Sequence, residues 1–211
     1  MSLVIASAAP ARGSYLCKEV LDRVLAVALL LLLSPLLVVI AILVGTTSSG
    51  PVLFRRRVVG RHCVEFDAFK FRTMVADADA VLRAQPALLR EFDANMKLRA
   101  DPRLTPIGAF LRRTSLDELP QLINVAAGTM SLVGPRMIAP EEMPKFGDAL
   151  ATRMAVKPGV TGLWQISGRQ ELPYGDRVRL DLDYIENWSL RLDLAILART
   201  IPAVLSMRGA Y

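Results

Sequence analysis

The sequence contains very little histidine and cysteine. His62 is the one histidine among 211 residues, and Cys17 and Cys63 are the two cysteines. A zinc site built on histidines needs several imidazoles, and a Ser-His triad would depend on this single residue, so both are disfavoured. The cysteines lie far apart and outside metal-like spacing, which indicates reduced thiols in a cytoplasmic environment. Any chemistry therefore has to come from carboxylates, arginines and a bound cation.

Phosphate-binding glycine motifs are also missing. Neither Gly-x-x-x-x-Gly-Lys nor Gly-x-Gly-x-x-Gly occurs, so phosphates would have to be held by side chains and a metal ion. Aromatic residues make up 6% of the chain, and no aromatic-basic platform or helix-turn-helix pattern accompanies its net charge of +6. We therefore predict no nucleic-acid partner. The positive charge instead suits a phosphorylated substrate or an anionic membrane surface.

One long apolar run stands out. Residues 24–44 contain no charged side chain, which meets the length criterion for a membrane-inserted helix. No small-residue cleavage site follows, so the run does not fit a secretory signal. Basic residues lie on both sides of it: Arg12, Lys18 and Arg23 before, and Arg55, Arg56, Arg57 and Arg61 after. Their positions indicate a segment flanked by charge at the membrane surface.

Ser34 and Pro35 interrupt this run near its middle. Proline removes one backbone hydrogen bond of a helix, and Ser34 can satisfy the freed carbonyl. Each arm has roughly ten residues, or about 15 Å of helix, which is half of a hydrocarbon core of about 30 Å. With basic flanks on both sides, residues 15–54 are predicted to dip into the bilayer and return to the cytoplasmic face. A kinked spanning helix is the alternative.

The rest of the chain predicts an α+β fold that is mostly helical. Residues 1–14 are expected to be a flexible tail, and residues 55–211 a membrane-associated catalytic domain. Residues 52–54 and 64–71 are predicted to form a short β-hairpin around Gly60-Arg61. Lys70 and Arg72 fall on one side of its second strand, where they could meet phosphate. Helical periodicity predicts further helices over residues 76–99 with a break at Pro86, 107–113, 122–125, 177–188 and 190–205, the last suited to the membrane surface.

A pair of carboxylates, Asp117 and Glu118, follows two arginines at a predicted helix start. Ser115 and Glu118 have the spacing of a capping box, which would place the pair beside unpaired backbone N–H groups. The positive potential there would keep Asp117 ionised, and a phosphate could bind nearby with help from Arg112. The plain alternative is an ordinary helix cap.

Two further runs combine arginine with glycine. Residues 131–136 read as a short apolar strand that stops at a Gly-Pro turn carrying Arg136. Residues 157–169 contain three glycines, Trp164, Gln165 and Arg169, which suits a loop that approaches a ligand and brackets a base or sugar. A buried structural tryptophan is the alternative for Trp164.

Together these motifs resemble the monotopic phosphoglycosyl transferases, the bacterial sugar transferase family. The resemblance covers residues 15 to 207 and rests on five motifs in one order: KFRTM at 70–74, DPRLT at 101–105, RRTSLDELPQ at 112–121, SLVGPR at 131–136 and PGVTGLWQISGR at 158–169. The family has a re-entrant helix broken at Ser-Pro, which matches Ser34 and Pro35 and favours the dipping topology. One departure is Met137, because the family commonly has proline after the arginine of Gly-Pro-Arg.

The resemblance implies a polyprenyl-phosphate hexose-1-phosphate transferase at the cytoplasmic face of a bacterial inner membrane. Asp117 is implied to attack the sugar-bearing phosphorus of a UDP-hexose with release of UMP, and Glu118 to bind Mg²⁺. Undecaprenyl phosphate would then displace Asp117, which initiates exopolysaccharide, capsule or O-antigen synthesis. Phosphate contacts carry over to Arg112 and Arg136, joined by Lys70 and Arg72, and nucleotide-sugar contacts to Arg169 and Gln165.

Two rival functions and the oligomeric state are left open by the sequence. The basic apolar segment and terminal helix would also suit a non-catalytic membrane-surface anchor or assembly protein. A transferase could also act in a single direct step without a covalent intermediate. A homodimer is one alternative for the assembly.

Overall fold

The computed structural model describes residues 12–95, 98, 101–168 and 172–206. Its elements are, in chain order, α1 (Arg12–Thr47), β1 (Leu53–Val59), β2 (Glu65–Phe71), α2 (Ala78–Arg83), α3 (Pro86–Asn95), α4 (Pro106–Thr114), α5 (Gln121–Ala127), β3 (Ser131–Val133), α6 (Ala149–Arg153), β4 (Gly159–Thr161), α7 (Leu163–Ile166), α8 (Tyr174–Glu186) and α9 (Leu190–Leu205). Three short 3₁₀ turns, Arg61–Cys63, Leu116–Glu118 and Pro140–Phe146, connect some of them. The fold is α+β and mostly helical, as predicted.

The apolar run forms one long helix, α1, of 36 residues. The helix continues through Pro35, so the expected break does not interrupt it. The predicted compensation is present, because Ser34 Oγ donates to the carbonyl of Leu31 at 2.8 Å, the acceptor that Pro35 leaves unused. Residues 15–47 form one helix that is long and apolar enough to cross a membrane, which indicates membrane association. The helix begins at Arg12, within the predicted tail.

One face of α1 packs on the rest of the protein along its length. Near its start, Lys18 and Asp22 are buried, and Ala26 joins the largest apolar cluster. Near its end, Ile40 and Val44 pack with Phe71 of β2 and Leu111 of α4. The opposite face is apolar and exposed: Leu16, Val20, Val24, Val27, Leu31, Leu32, Val38, Val39 and Ile42. Both ends of α1 are therefore held by the same folded body.

The predicted hairpin is confirmed. Strands β1 and β2 pair antiparallel, with Leu53 opposite Phe71 and Val59 opposite Glu65. The chain reverses through Gly60 and the turn at Arg61–Cys63. Val58 and Ala68 point into the core, whereas Arg57 and Glu65 form an exposed ion pair. This alternation is the two-residue period expected of a half-buried strand.

The helices α2 to α5 follow the predicted pattern closely. Pro86 begins α3, as expected from its place at the break between α2 and α3. Thr105 caps α4 by accepting a hydrogen bond from the backbone N–H of Gly108. A side chain at Gly108 would lie 2.0 Å from the carbonyl oxygen of Thr73, so glycine permits α4 to contact the segment after β2. Gly128, with φ +83°, ends α5 as predicted.

A second, parallel pair of strands was not predicted. β3 and β4 pair with Ser131 opposite Gly159 and Val133 opposite Thr161. Residues 157–169, expected to form a loop, instead contain β4 and the short helix α7. A Cβ on Gly159 would lie 2.1 Å from the backbone nitrogen of Gly134, so this approach requires glycine. The strand pair brings the turn at Arg136 beside α7.

Candidate functional site

The acidic pair lies in a tight turn between two helices. Ser115 ends α4 in a left-handed conformation with φ 57°, and Leu116–Glu118 form a 3₁₀ turn that leads to α5. Ser115 makes no capping hydrogen bond with its side chain, and Pro120 occupies the N-cap position of α5. The predicted capping box is therefore wrong, although the pair does stand just before a helix. The left-handed residue turns the chain so that Asp117 points inward.

Glu118 is directly paired with two cations. Lys70 on β2 lies 2.5 Å from its Oε1, and Nη2 of Arg136 lies 3.6 Å from the same atom. The side chains of Lys70 and Glu118 are 13% and 19% exposed, so the pair is mostly shielded from water. The structure thus brings together three residues that the sequence placed in the site.

Asp117 is buried and differs from its neighbour. Only 6% of the residue is exposed, and no donor among the described residues forms a hydrogen bond or close ion pair with its carboxylate. The pKa of Asp117 is raised to about 6: burial is the largest cause and the charge of Glu118 adds to it, while Lys70, Arg112 and Arg136 oppose the rise. The expectation that this carboxylate is ionised therefore holds above about pH 6, and its surroundings are cationic.

Arg112 reaches the site from the last turn of α4. Its Nε donates to Thr73 Oγ1 at 3.0 Å, just after β2. Burial lowers the pKa of this guanidinium, and the negative charge of Asp117 counters that effect. The backbone carbonyl of Thr73 in turn accepts from the N–H of Thr105 at 3.0 Å. The hydrogen-bonded segment at Thr73 therefore orients the Arg112 guanidinium.

Arg136 sits between the acidic pair and an aromatic ring. Its guanidinium carbon lies 5.7 Å from the centroid of Trp164, and Arg177 of α8 approaches the same ring at 5.4 Å. Trp164 is 4% exposed, so the alternative of a buried tryptophan holds and its ring is not open for stacking on a ligand. Met137, which replaces the usual proline, is buried in the main core, where packing holds the turn.

Arg56 also lies near the acidic pair, although the sequence predicted for it only a place beside the membrane segment. Arg56 of β1 pairs with Glu142 at 3.3 Å, and the charges of Arg136 and Glu118 act on its guanidinium. Burial lowers the pKa of Arg56, and the positive charge of Arg136 lowers it further. The two-residue period of the strand could have predicted this position. Arg57 faces the other side, where it pairs with the exposed carboxylates of Glu65 and Asp67.

Three predicted site residues have no observed contact with the acidic pair among the described residues. Arg72 donates to the carbonyls of Val44, Ser48 and Pro51, which places its guanidinium at the end of α1. Arg169 lies outside the described residues. Gln165 has both amide atoms buried without a hydrogen-bond partner among the described residues. Its amide lies close to Gly162, next to the strand pair, so its contact with a nucleotide sugar stays a prediction.

A magnesium ion at the acidic pair would need substrate oxygens as further ligands. Among the described residues, no group of three or more histidine, cysteine, aspartate and glutamate side chains could form a complete cage. Magnesium is commonly held by one or two carboxylates plus substrate phosphate oxygens, so Asp117 and Glu118 fit that pattern. Lys70 already contacts Oε1 of Glu118, and a cation would have to share or displace that contact.

Comparison with known proteins agrees with the motifs. The family model described as bacterial sugar transferase matches residues 13–207. The chain is 44% identical over 200 residues to the exopolysaccharide production protein ExoY of Rhizobium meliloti, covering 93% of this chain and 88% of that protein.

Longer relatives match over part of their length. The undecaprenyl-phosphate galactose phosphotransferase of Salmonella typhimurium is 43% identical, covering 95% of this chain and 43% of that protein. The UDP-glucose:undecaprenyl-phosphate glucose-1-phosphate transferase of Xanthomonas campestris pv. campestris is 42% identical, covering 92% of this chain and 40% of that protein. The resemblance read from the five motifs is confirmed, and the chain belongs to the bacterial sugar transferase family.

Proposed function

We propose that this protein transfers hexose-1-phosphate from a UDP-hexose to undecaprenyl phosphate through a covalent intermediate on Asp117. The relatives named above are sugar phosphotransferases acting on undecaprenyl phosphate, or an exopolysaccharide production protein, which supports this substrate class and a place at the start of exopolysaccharide synthesis. The observation that carries the proposal is Asp117 itself. A buried carboxylate with cations around it, and no hydrogen-bond donor attached among the described residues, is suited to attack an electrophile.

In the first step, an Asp117 carboxylate oxygen attacks the sugar-bearing phosphorus of the donor. A new P–O bond forms to Asp117, the bond from that phosphorus to the bridging diphosphate oxygen breaks, and UMP leaves with that oxygen. Phosphoryl transfer depends mainly on positioning and on neutralising charge on the phosphate oxygens. Arg112 and Arg136 supply positive charge on the Asp117 side, and Lys70 holds Glu118 in place.

In the second step, a phosphate oxygen of undecaprenyl phosphate attacks the same phosphorus. The bond to Asp117 breaks and returns its carboxylate, and the product is undecaprenyl-diphospho-hexose. Arg136 is the residue we assign to the acceptor phosphate.

Magnesium is part of the proposal, with Glu118 as its protein ligand and substrate phosphate oxygens completing the set. The ion would withdraw charge from the diphosphate. Chelation should stop UMP release, and added Mg²⁺ should restore it. Unchanged release in excess EDTA would remove the metal from the proposal.

The membrane geometry is proposed to be re-entrant, with both ends of α1 and the site at the cytoplasmic face. Support comes from packing, since Ala26 and Val44 at opposite ends of the apolar run are both buried against the same body. A spanning helix would have to expose one of those ends on the far side. In α9, Leu194, Ile201 and Leu205 are exposed while Ile196 is buried, which suits a helix lying on the membrane surface.

A membrane-impermeant thiol reagent tests the topology. In a background lacking Cys17 and Cys63, a cysteine at Leu16, which is 66% exposed near the start of α1, should resist labelling from the outer face. A spanning helix with the site at the cytoplasmic face would place this residue on the outer side, so ready labelling there would favour the spanning helix. A cysteine at Val64, which is 64% exposed on the hairpin, gives the matched cytoplasmic control.

Incubation with UDP-hexose alone tests the covalent route. Mass spectrometry should find a hexose-phosphate adduct on Asp117, with one UMP released per adduct, and the Asp117→Asn variant should form none. UMP release that requires undecaprenyl phosphate, without an adduct, would favour the single-step rival. No UMP from any common UDP-hexose would favour the non-catalytic anchor, which the transferase relatives already disfavour.

A further inference from the structure

One buried ion pair near the site has no part in the proposed chemistry. Arg153, the last residue of α6, and Asp181, in the middle of α8, lie 2.8 Å apart between Nη1 and Oδ2. Their side chains are 3% and 6% exposed. Isolated from water, such a pair stabilises a fold only when its geometry is nearly ideal, and apolar replacements are often equally stable.

The hydrogen bonding of this pair is incomplete within the described chain. Nε of Arg153 and Oδ1 of Asp181 have no partner of normal geometry there. The pKa of Asp181 is raised to about 7, with burial as the largest cause and Arg153 opposing it, so the pair carries a clear desolvation penalty. Stability alone is therefore a weak reason for its presence.

Both members of the pair face the backbone of Arg136. Nη2 of Arg153 donates to the Arg136 carbonyl oxygen. The backbone N–H of Arg136 lies close enough to the Asp181 carboxylate to lower its pKa. One residue from each of two helices thus contacts opposite polar groups of a single turn residue.

Other contacts also hold the turn at Arg136 in place. The ring of Phe146 supports the Arg153 guanidinium at 4.7 Å, and Gly159 bridges to Arg136 beyond the end of β3. On the side-chain end, Trp164 and Glu118 flank the Arg136 guanidinium. The backbone of Arg136 is therefore fixed from α6 and α8, whereas its guanidinium projects toward the acidic pair.

We propose that Arg153 and Asp181 are positioning residues that hold the Arg136 backbone, so that its guanidinium is presented to the acceptor phosphate. This rests on the proposed function, because it requires Arg136 to bind a substrate phosphate. Loss of the pair lets the turn shift, and a displacement of about 1 Å can cost about a hundredfold in rate even without a change in the reacting groups.

A double-mutant cycle between Arg153 and Arg136 separates positioning from general stability. The variants are Arg153→Lys, Arg136→Lys and the two combined, each assayed in detergent with UDP-hexose and undecaprenyl phosphate. Arg153→Lys should raise the KM for undecaprenyl phosphate about tenfold or more, with a smaller change in kcat and in the KM for UDP-hexose. In the Arg136→Lys background the same change should cost less than about twofold, because the side chain being positioned is already altered.

The matched control is Asp193→Asn, which weakens another buried ion pair, Lys18–Asp193, with no contact to Arg136. Its effect should multiply with that of Arg136→Lys and should leave the KM for undecaprenyl phosphate unchanged. If the effects of Arg153→Lys and Arg136→Lys multiply in the same way, the positioning role is overturned.

Two outcomes distinguish this inference from the proposed function. A wild-type protein that releases no UMP from any UDP-hexose overturns the proposed function, and the positioning role with it. An active wild type with multiplying losses overturns the positioning role alone. If Arg153→Lys does not fold, Asp181→Asn keeps the shape of its side chain and should raise the same KM, and an unchanged KM overturns the inference.

Discussion

Two clusters of buried charge differ in how completely their members are paired. At the start of α1, Lys18 lies 2.7 Å from Asp193 and 3.3 Å from Asp22. Tyr184 donates to Asp193 at 2.8 Å, and Ser131 donates to Asp22. Each carboxylate there has a direct donor. At the acidic pair, Glu118 is held but Asp117 has only longer-range attraction from its cations.

This difference indicates a structural role for the Lys18 cluster and agrees with the reactive role proposed for Asp117. The Lys18 cluster joins α1 to β3, α8 and α9, and each of its carboxylates accepts a direct hydrogen bond, as a buried structural network requires. The Asp117 cluster keeps one charge incompletely compensated, at a cost to stability that a purely structural network would avoid. The opposite responses of the two clusters to mutation are the way to test this contrast.

The largest effect is expected for Asp117→Asn, on activity and stability together. UMP release should fall by at least about 10³-fold, because the proposed nucleophile is lost. The pKa of Asp117 is raised from 3.8 to about 6, so its ionised form opposes folding by up to about 3 kcal/mol above pH 6. The variant should therefore melt at a higher temperature at pH 7, and this gain should vanish below about pH 4, where Asp117 is protonated in both states.

Scanning calorimetry or dye-monitored melting in detergent measures that change. Asp22→Asn is the matched control, since this carboxylate has direct partners, and it should lower the melting temperature while activity per folded molecule persists. An Asp117→Asn protein that is less stable than wild type at pH 7 would contradict the contrast.

Lys18→Met should give the next largest effect, on stability alone. Two buried carboxylates, Asp22 and Asp193, would lose their shared cation, and breaking such a pair typically costs about 3–5 kcal/mol. Chemical denaturation monitored by Trp fluorescence provides the measurement. Val20→Ala, on the exposed face of the same helix, should change stability by less than about 0.5 kcal/mol. Equal stability of Lys18→Met and wild type would show that the Lys18 cluster does not stabilise the fold.

The pH dependence of UMP release should shift in one variant and not in its matched control. The proposed attack needs the ionised form of Asp117, so single-turnover release should fall about tenfold per pH unit below about pH 6. Lys70→Met removes a charge that lowers the pKa of Asp117, so the midpoint should move to higher pH. Lys70→Arg keeps that charge, so its midpoint should stay near that of the wild type.

Omitting undecaprenyl phosphate from this assay keeps the titration of its own phosphate, with a pKa near 6, out of the profile. A midpoint that stays in place for Lys70→Met, or that moves equally for Lys70→Arg, would mean that another group controls the profile.

The smallest effect is expected at Thr73. Thr73→Val keeps the shape of the side chain but leaves Nε of Arg112 without its acceptor at 3.0 Å. Losing one hydrogen bond to a buried guanidinium should lower kcat/KM by about three- to tenfold. Thr73→Ser retains the hydroxyl and should stay near wild type. Equal losses in both variants would point to packing rather than to the hydrogen bond.

Much of this architecture was visible in local sequence patterns. The two-residue alternation of the hairpin and the Gly128 stop of α5 were read correctly, because both depend on neighbouring residues. The helix over residues 190–205 matches α9 as built. The pairing of β3 with β4 was missed, since two three-residue strands separated by 25 residues leave no periodic signal.

The candidate site was predictable in its residue types and less so in its geometry. Ser115 satisfies the rule for starting a helix, yet it ends the preceding one in a left-handed turn, so two local signals competed. Arg72 lies just beyond β2 and donates to carbonyls at the end of α1, so its two-residue spacing from Lys70 did not place it at the acidic pair. Arg153 and Asp181 carried no signal, because their contact with Arg136 arises only when α6 and α8 pack together.

The packing of α1 implies that this helix is part of the folded core as well as a membrane segment. Its Ala26, Ile40 and Val44 supply part of the interior of the catalytic body, and Arg72 fastens its last turn. If an unrelated hydrophobic helix replaced α1, the protein could still bind the membrane. Its apolar core would lose the side chains that α1 contributes. In the proposed membrane geometry, the same helix would set both the depth of the protein in the bilayer and the distance from the lipid to Asp117.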